Sequence, residues 1–196
     1  GWCGGCATWV DFSNDSRTLL MASNKAPVKS YDLSTGKLIK TYIEQIEDLR
    51  GLAFDEKDEK ILVGTETEII LLDARSGGQI LRIRPDINGK INEVKFAKTP
   101  HKLLIASDNN QAFLWSIETK TVIQKLTGLL NERDKGGVMY DPNSYWESHI
   151  AKYIRFKNEL LLTKDGQDLI KGKFGTKVKR WDIASGQTRM EYSGHE

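Results

Sequence analysis

One shape recurs four times along this chain, and a chain that repeats itself folds by stacking its copies. Each copy holds an apolar run, a hydrophobic or aromatic residue usually followed by Asp, a turn of small residues, and an alternating run. The first two read Val28-Lys29-Ser30-Tyr31-Asp32-Leu33-Ser34-Thr35-Gly36 and Ile69-Ile70-Leu71-Leu72-Asp73-Ala74-Arg75-Ser76-Gly77. The third is Ala112-Phe113-Leu114-Trp115-Ser116-Ile117-Glu118-Thr119-Lys120, and the fourth Val178-Lys179-Arg180-Trp181-Asp182-Ile183-Ala184-Ser185-Gly186. With Tyr31, Leu72, Trp115 and Trp181 as anchors, successive copies lie 41, 43 and 66 residues apart.

Two short apolar runs joined by a polar turn precede each anchor, and one follows it. Thr8–Phe12 and Thr18–Ala22 come before Tyr31, and Gly51–Phe54 and Lys60–Gly64 before Leu72. Asn92–Phe96 and Lys102–Ala106 come before Trp115, and Glu159–Leu162 and Asp168–Gly172 before Trp181. The closing runs are Lys37–Tyr42, Gln79–Ile83, Thr121–Leu126 and Gln187–Tyr192. Short runs rich in β-branched and aromatic residues, bounded by Gly, Asp and Ser, are strand-and-hairpin signals. Four strands every 41 or 43 residues match a propeller blade of about 40–45 residues. The expected fold class is therefore all-β, a β-propeller of four-stranded antiparallel blades over about 7–42, 50–84, 91–126 and 159–192. A lone sheet cannot cover both its faces, whereas blades stacked around an axis can.

These motifs resemble the WD-repeat β-propeller family, most closely in Trp181-Asp182, the Ser185-Gly186 turn and the closing Gly194-His195. In that family a Gly-His pair commonly engages an Asp six residues before the Trp position. Those positions here hold Lys25, Glu66, Asn109 and Gly175, so these blades are expected to rely on packing more than on a buried polar network. The resemblance implies a ring of about seven blades, of which four are present, and hence a segment of a longer propeller or one that another chain completes, with a closed four-blade ring as the third arrangement. It also implies a non-catalytic protein–protein interaction scaffold within a multiprotein complex.

The third step exceeds a blade by about 24 residues, which places an insertion at 127–158. Ser144-Tyr145-Trp146-Glu147 has the spacing of a helix capping box, and Trp146, Ile150, Tyr153 and Ile154 fall on one helical face. A short amphipathic helix over about 145–156 is expected, covering a blade end or docking a partner. Tyr140, Tyr145 and Trp146 are the candidate partner-binding residues, since aromatic side chains anchor interfaces.

Composition narrows the chemistry. The 29 Lys+Arg and 27 Asp+Glu give a net charge of +2, unlike a dedicated DNA-coating protein. No apolar run reaches the ~18 residues of a membrane span. Lys171, Lys173, Lys177 and Lys179 are candidate anion-binding residues, for phosphate of nucleic acid or lipid, although strand alternation would divide a cluster between two faces. Trp2-Cys3-Gly4-Gly5-Cys6 resembles a thioredoxin-like dithiol, but runs into a strand pattern rather than the helix that would lower a thiol pKa. Two thiols are also too few for zinc, and His101, His149 and His195 lie far off in sequence. His195 follows Gly194 at a repeat boundary, a structural position, and Glu56/Asp58 and Glu66/Glu68 sit in charged turns where solvation explains them. No phosphate-binding Gly-rich loop and no nucleophile elbow occurs, so no catalytic site and no cofactor are expected. With both cysteines at one end and no leader visible, a cytoplasmic setting is expected, with nuclear or cytoskeletal association as a variant. Two other roles fit the same features: the sensor or regulatory propeller of a larger enzyme or ATPase, and a phosphate or nucleic-acid surface on the Lys-rich fourth blade.

Overall fold

The computed structural model describes residues 9–109, 111–126, 160–163, 167–171 and 178–192. All regular structure among them is β-strand, in four four-stranded antiparallel sheets whose strands follow chain order. The first sheet comprises β1 (Trp9–Phe12), β2 (Thr18–Ala22), β3 (Ala26–Asp32) and β4 (Leu38–Ile46). The second comprises β5 (Leu49–Phe54), β6 (Lys60–Thr65), β7 (Ile69–Asp73) and β8 (Gln79–Ile83). The third holds β9 (Ile91–Phe96), β10 (Lys102–Ser107), β11 (Ala112–Ser116) and β12 (Val122–Leu126). The fourth holds β13 (Leu160–Leu162), β14 (Asp168–Lys171), β15 (Val178–Asp182) and β16 (Thr188–Tyr192). These sheets are compatible with propeller blades. The expected helical insertion at 127–158 lies outside the described residues.

Most strands fall within a residue or two of the sequence reading; β4 is the exception and continues to Ile46, beyond Tyr42. It can continue because β3 begins early, at Ala26, and pairs Ala26 with Ile46 and Val28 with Ile43. Pro27 lies where that register shifts, as expected of a residue with no N–H for the ladder.

The turn after each anchor is the same object four times. Asp32 Oδ1 accepts the N–H of Thr35 at 2.8 Å, Asp73 Oδ1 that of Ser76 at 2.6 Å, and Asp182 Oδ1 that of Ser185 at 2.6 Å. In the third sheet Ser116 Oγ takes that place for Thr119 at 3.1 Å. A backbone bond of 2.8–3.0 Å then closes each turn, from Gly36, Gly77, Lys120 or Gly186 to the carbonyl of the capping residue. All four closing residues have positive φ, which glycine adopts freely and Lys120 adopts at φ 58 against its Cβ. The residue after each cap also donates to the β1–β2-type hairpin of its own sheet: Leu33 to Arg17, Ala74 to Glu59, Ile117 to His101 and Ile183 to Gln167.

The chain divides into two compact units, Gly1–Lys125 and Leu126–Glu196. Within the first, β5 lies against both β1 and β9, so the three sheets fan out from their first strands. The second sheet buries both faces. Ile61, Val63, Ile70 and Leu72 pack on Leu20, Ala22 and Val28 of the first sheet. Leu62, Ile69 and Leu71 pack on Leu103, Ile105, Phe113 and Trp115 of the third. Each fully buried aliphatic side chain contributes about 1.5–3 kcal/mol relative to exposure, so this double burial holds the unit together. Gly51 and Gly64, opposite each other in β5 and β6, mark the tightest approach. A Cβ on Gly51 would stand 2.5 Å from the Val94 carbonyl oxygen, and one on Gly64 would overlap the Val94 side chain. In the second unit, Trp181 and Asp168 are fully buried.

Gly51→Ala is therefore expected to cost about 1–3 kcal/mol, because the obstacle is backbone rather than a side chain that can turn away. Gly64→Ala, which meets the Val94 side chain, should be partly rescued by Val94→Ala. Denaturant midpoints of the single and double variants check both statements.

Candidate interaction surfaces

The connections that carry the chain between sheets gather with the β2–β3, β6–β7 and β10–β11 turns at one end of the first unit. Asp48 N–H donates to Asn24 Oδ1 at 2.5 Å, Ile91 N–H to Glu66 O at 2.8 Å, and Lys90 N–H to Asp108 Oδ1 at 3.0 Å. Asn109, at one of the positions where the resembled family places Asp, donates instead to Asn88 O at 2.9 Å.

Glu66 and Glu68 are the centre of this end. Their carboxylates are paired, which corrects the expectation of ordinary solvation. Glu66 receives Lys90 Nζ at 3.1 Å and Arg50 Nη2 at 3.2 Å. Glu68 receives Arg82 Nη2 at 2.8 Å and Arg84 Nε at 3.3 Å. The hydrogen bond from Lys90 and its charge hold Glu66 below the usual carboxylate range, and the bond from Arg82 does the same for Glu68. Carboxylates kept ionised by cations are poor proton donors at neutral pH, and these pairs tie together the strands and turns that carry them.

Glu56 and Asp58 differ again. Asp58 accepts the backbone N–H of Asn14 through both oxygens, at 3.0 and 2.9 Å, while the Asn14 amide donates to Asp55 O and Glu56 O. The first hairpin turn is thereby clamped onto the second. Nearby, Asp11 of β1 accepts the Phe54 N–H of β5 at 2.8 Å. Burial raises the Asp11 pKa against the opposing pull of that bond.

In the fourth sheet, the buried Asp168 accepts a hydrogen bond from Arg180 Nε at 2.8 Å and is ion-paired with Arg189 Nε at 3.2 Å, and Arg189 also meets Asp182. The Ser185 backbone and hydroxyl hold the Asp182 pKa at about 2. Of the candidate anion ligands, Lys171 and Lys179 stand opposite each other in the β14–β15 ladder. Lys173 and Lys177 lie outside the described residues, as do Tyr140, Tyr145 and Trp146, Cys3 and Cys6, and His149 and His195. Among the described residues no group of three or more His, Cys, Asp or Glu could hold a metal ion, and no helix is long and apolar enough to cross a membrane.

A second surface is apolar: Val10 and Phe12 of β1 and Leu38 of β4 are all exposed, at 56 %, 54 % and 51 %. Sequence reasoning missed both surfaces. The pairings of Glu66 and Glu68 join different strands, and the open side depends on which face each sheet buries. Their only advance signal was the excess of charge near residues 82–90 and the apolar alternation of 9–12.

No protein-family model matches the chain. Autophagy-related protein 16 of Arabidopsis thaliana is 20% identical to it over 192 residues, which is 98% of this chain and 33% of that protein. The chain thus spans about a third of the length of this curated relative.

Two pH dependences follow, of opposite sign. The Ser34 and Thr35 hydroxyls hold Asp32 at about 2 against an ordinary 3.8, and Asp182 is held likewise. Their stabilisation is complete above the ordinary value and drains away as pH falls toward about 2. Asp32→Asn and Asp182→Asn should therefore flatten the fall of melting temperature in that window. Asp11 is raised, so its ionised form weakens the fold at neutral pH. Asp11→Asn keeps an acceptor for Phe54 N–H and should stabilise at about pH 7, with no gain once the native carboxyl is protonated at about pH 3. Thermal melts across the pH range test both.

Proposed function

We propose that the protein is a non-catalytic interaction scaffold, a segment of a WD-repeat propeller that docks other proteins in a larger, cytoplasmic assembly. The observation that carries this reading is the three-sheet fan of the first unit, in which the middle sheet buries both faces and the repeat turn recurs with the same hydrogen bonds. A rigid stack of this kind spends its apolar residues on itself and offers loops and outer faces for recognition. The ion-paired loop end around Glu66 and Glu68 is suited to that use: its carboxylates are neutralised in place, while Arg82, Arg84 and Lys90 remain more than half exposed. The likeness to an autophagy-related protein makes autophagy the first cellular setting to test. We assign partner docking to the 127–158 insertion, through Tyr140, Tyr145 and Trp146.

Deletion of residues 130–150 is expected to remove one co-purifying protein while leaving the cooperative melt of the sheets in place. Affinity purification with quantitative mass spectrometry reads the first effect and differential scanning calorimetry the second. An unchanged set of co-purifying proteins would defeat the assignment.

A further inference from the structure

The connection from β8 to β9 carries the one Asn-Gly pair of the sequence, Asn88-Gly89. Asparagine is a thermolabile side chain. Its decay needs a free carboxamide and a following backbone nitrogen that can reach the side-chain carbonyl carbon. Asn88 is exposed. Among the described residues, neither its carboxamide nor the Gly89 N–H has a hydrogen-bond partner.

The other described asparagines are held differently. The Asn14 amide donates to Asp55 O at 3.1 Å and Glu56 O at 3.0 Å, and Asn24 Oδ1 accepts the Asp48 N–H. The Asn109 amide donates to Asn88 O, and Asn92 lies within β9. Each is followed by a residue with a side chain that crowds its nitrogen: Asp15, Lys25, Asn110 and Glu93. Gly89, by contrast, leaves its nitrogen bare, and the fold requires glycine there. Its φ is +90°, and a Cβ would run into Asp108 Oδ1.

We propose that Asn88 is a self-modifying site, at which the Gly89 nitrogen displaces the side-chain amide. The Gly89 nitrogen gives its proton to hydroxide and attacks Asn88 Cγ. The N–Cγ bond forms, the Cγ–Nδ2 bond breaks, and the amide nitrogen leaves as ammonia with a proton taken from water. Water then opens the cyclic imide. Attack at Cγ yields aspartate. Attack at the original main-chain carbonyl yields isoaspartate, whose main chain runs through the side chain and is one methylene longer. Water is the only co-reactant, and nothing is oxidised or reduced.

Either product adds a negative charge to a connection that already holds Asp86 and is fastened to Asp108. Asp108 accepts the Lys90 N–H at 3.0 Å and donates its own N–H to Lys90 O at 2.9 Å. The isoaspartyl product also lengthens the chain just before Lys90 and turns the carbonyl that receives the Asn109 amide into a free carboxylate. Modification therefore loosens the tie between this connection and the β10–β11 turn. No partner is needed, so the site stands apart from the scaffold reading.

The test incubates the folded protein at neutral and at mildly alkaline pH. Peptide mass spectrometry and labelling by protein isoaspartyl methyltransferase follow each asparagine. Asn88 is expected to convert at least several-fold faster than Asn14, Asn24, Asn92 or Asn109, and faster at the higher pH, where more of the Gly89 nitrogen is deprotonated. Asn88→Gln, whose longer side chain closes the ring poorly, should melt like the parent and lose the labelling of this connection. The Lys90 and Asp108 amides should exchange hydrogen faster in the aged parent than in the aged variant. Conversion of Asn88 no faster than that of the other asparagines, or undiminished labelling in Asn88→Gln, would overturn the site. Equal exchange in aged parent and variant would overturn its effect on the connection.

Discussion

Burial of both faces of one sheet is the interaction on which the first unit depends. β6 and β7 alternate so that Ile61, Val63, Ile70 and Leu72 point one way and Leu62, Ile69 and Leu71 the other, and neither set is left to water. An isolated four-stranded sheet with this composition would expose both apolar sides and aggregate. The neighbouring sheets remove that hazard only because they come close, and Gly51 and Gly64 exist where the Val94 backbone and side chain need the space. Glycine here is set by proximity, not by a left-handed backbone.

With packing carrying the stack, polar side chains do different work. Trp115 and Trp181 are fully buried, yet neither indole N–H has a hydrogen-bond partner. Leaving a buried donor unmade costs about 1–3 kcal/mol, a loss that burial of a side chain this large can offset. Of the positions where the resembled family places Asp, Lys25 and Asn109 carry no carboxylate, and the Glu66 carboxylate pairs with Lys90 and Arg50. The carboxylates present instead cap turns, as Asp32, Asp73 and Asp182 do, or pair across strands, as Glu66, Glu68 and Asp168 do.

The strands, their grouping in fours and the turn after each anchor could be read from the sequence because each is a local signal. Alternation, Gly and Asp act within a hairpin, and four copies reinforce one another. The partners of Glu66 and Glu68 could not be read in this way. Arg50 lies 16 residues from Glu66 along the chain, and only the β5–β6 pairing brings them together. The length of β4 escaped for a related reason: its last residues are fixed by Ala26 and Val28 across a shifted register around Pro27, not by their own pattern. For the Lys-rich stretch, only the register shows that Lys171 and Lys179 are backbone partners across the β14–β15 ladder.

A directional repeat has a consequence that a symmetric one lacks. Within the first unit the second and third sheets turn their anchor sides to the sheet before them, so neither covers the anchor side of the first. The first sheet carries that side, and its anchor is Tyr31, where the next sheets have Leu72 and Trp115. A tyrosine ring packs like its apolar counterparts while its hydroxyl tolerates water, which suits a half-buried position. Val10 and Phe12 have no such compromise in their chemistry. Their exposure costs free energy, because neither side chain has a polar group to offer water.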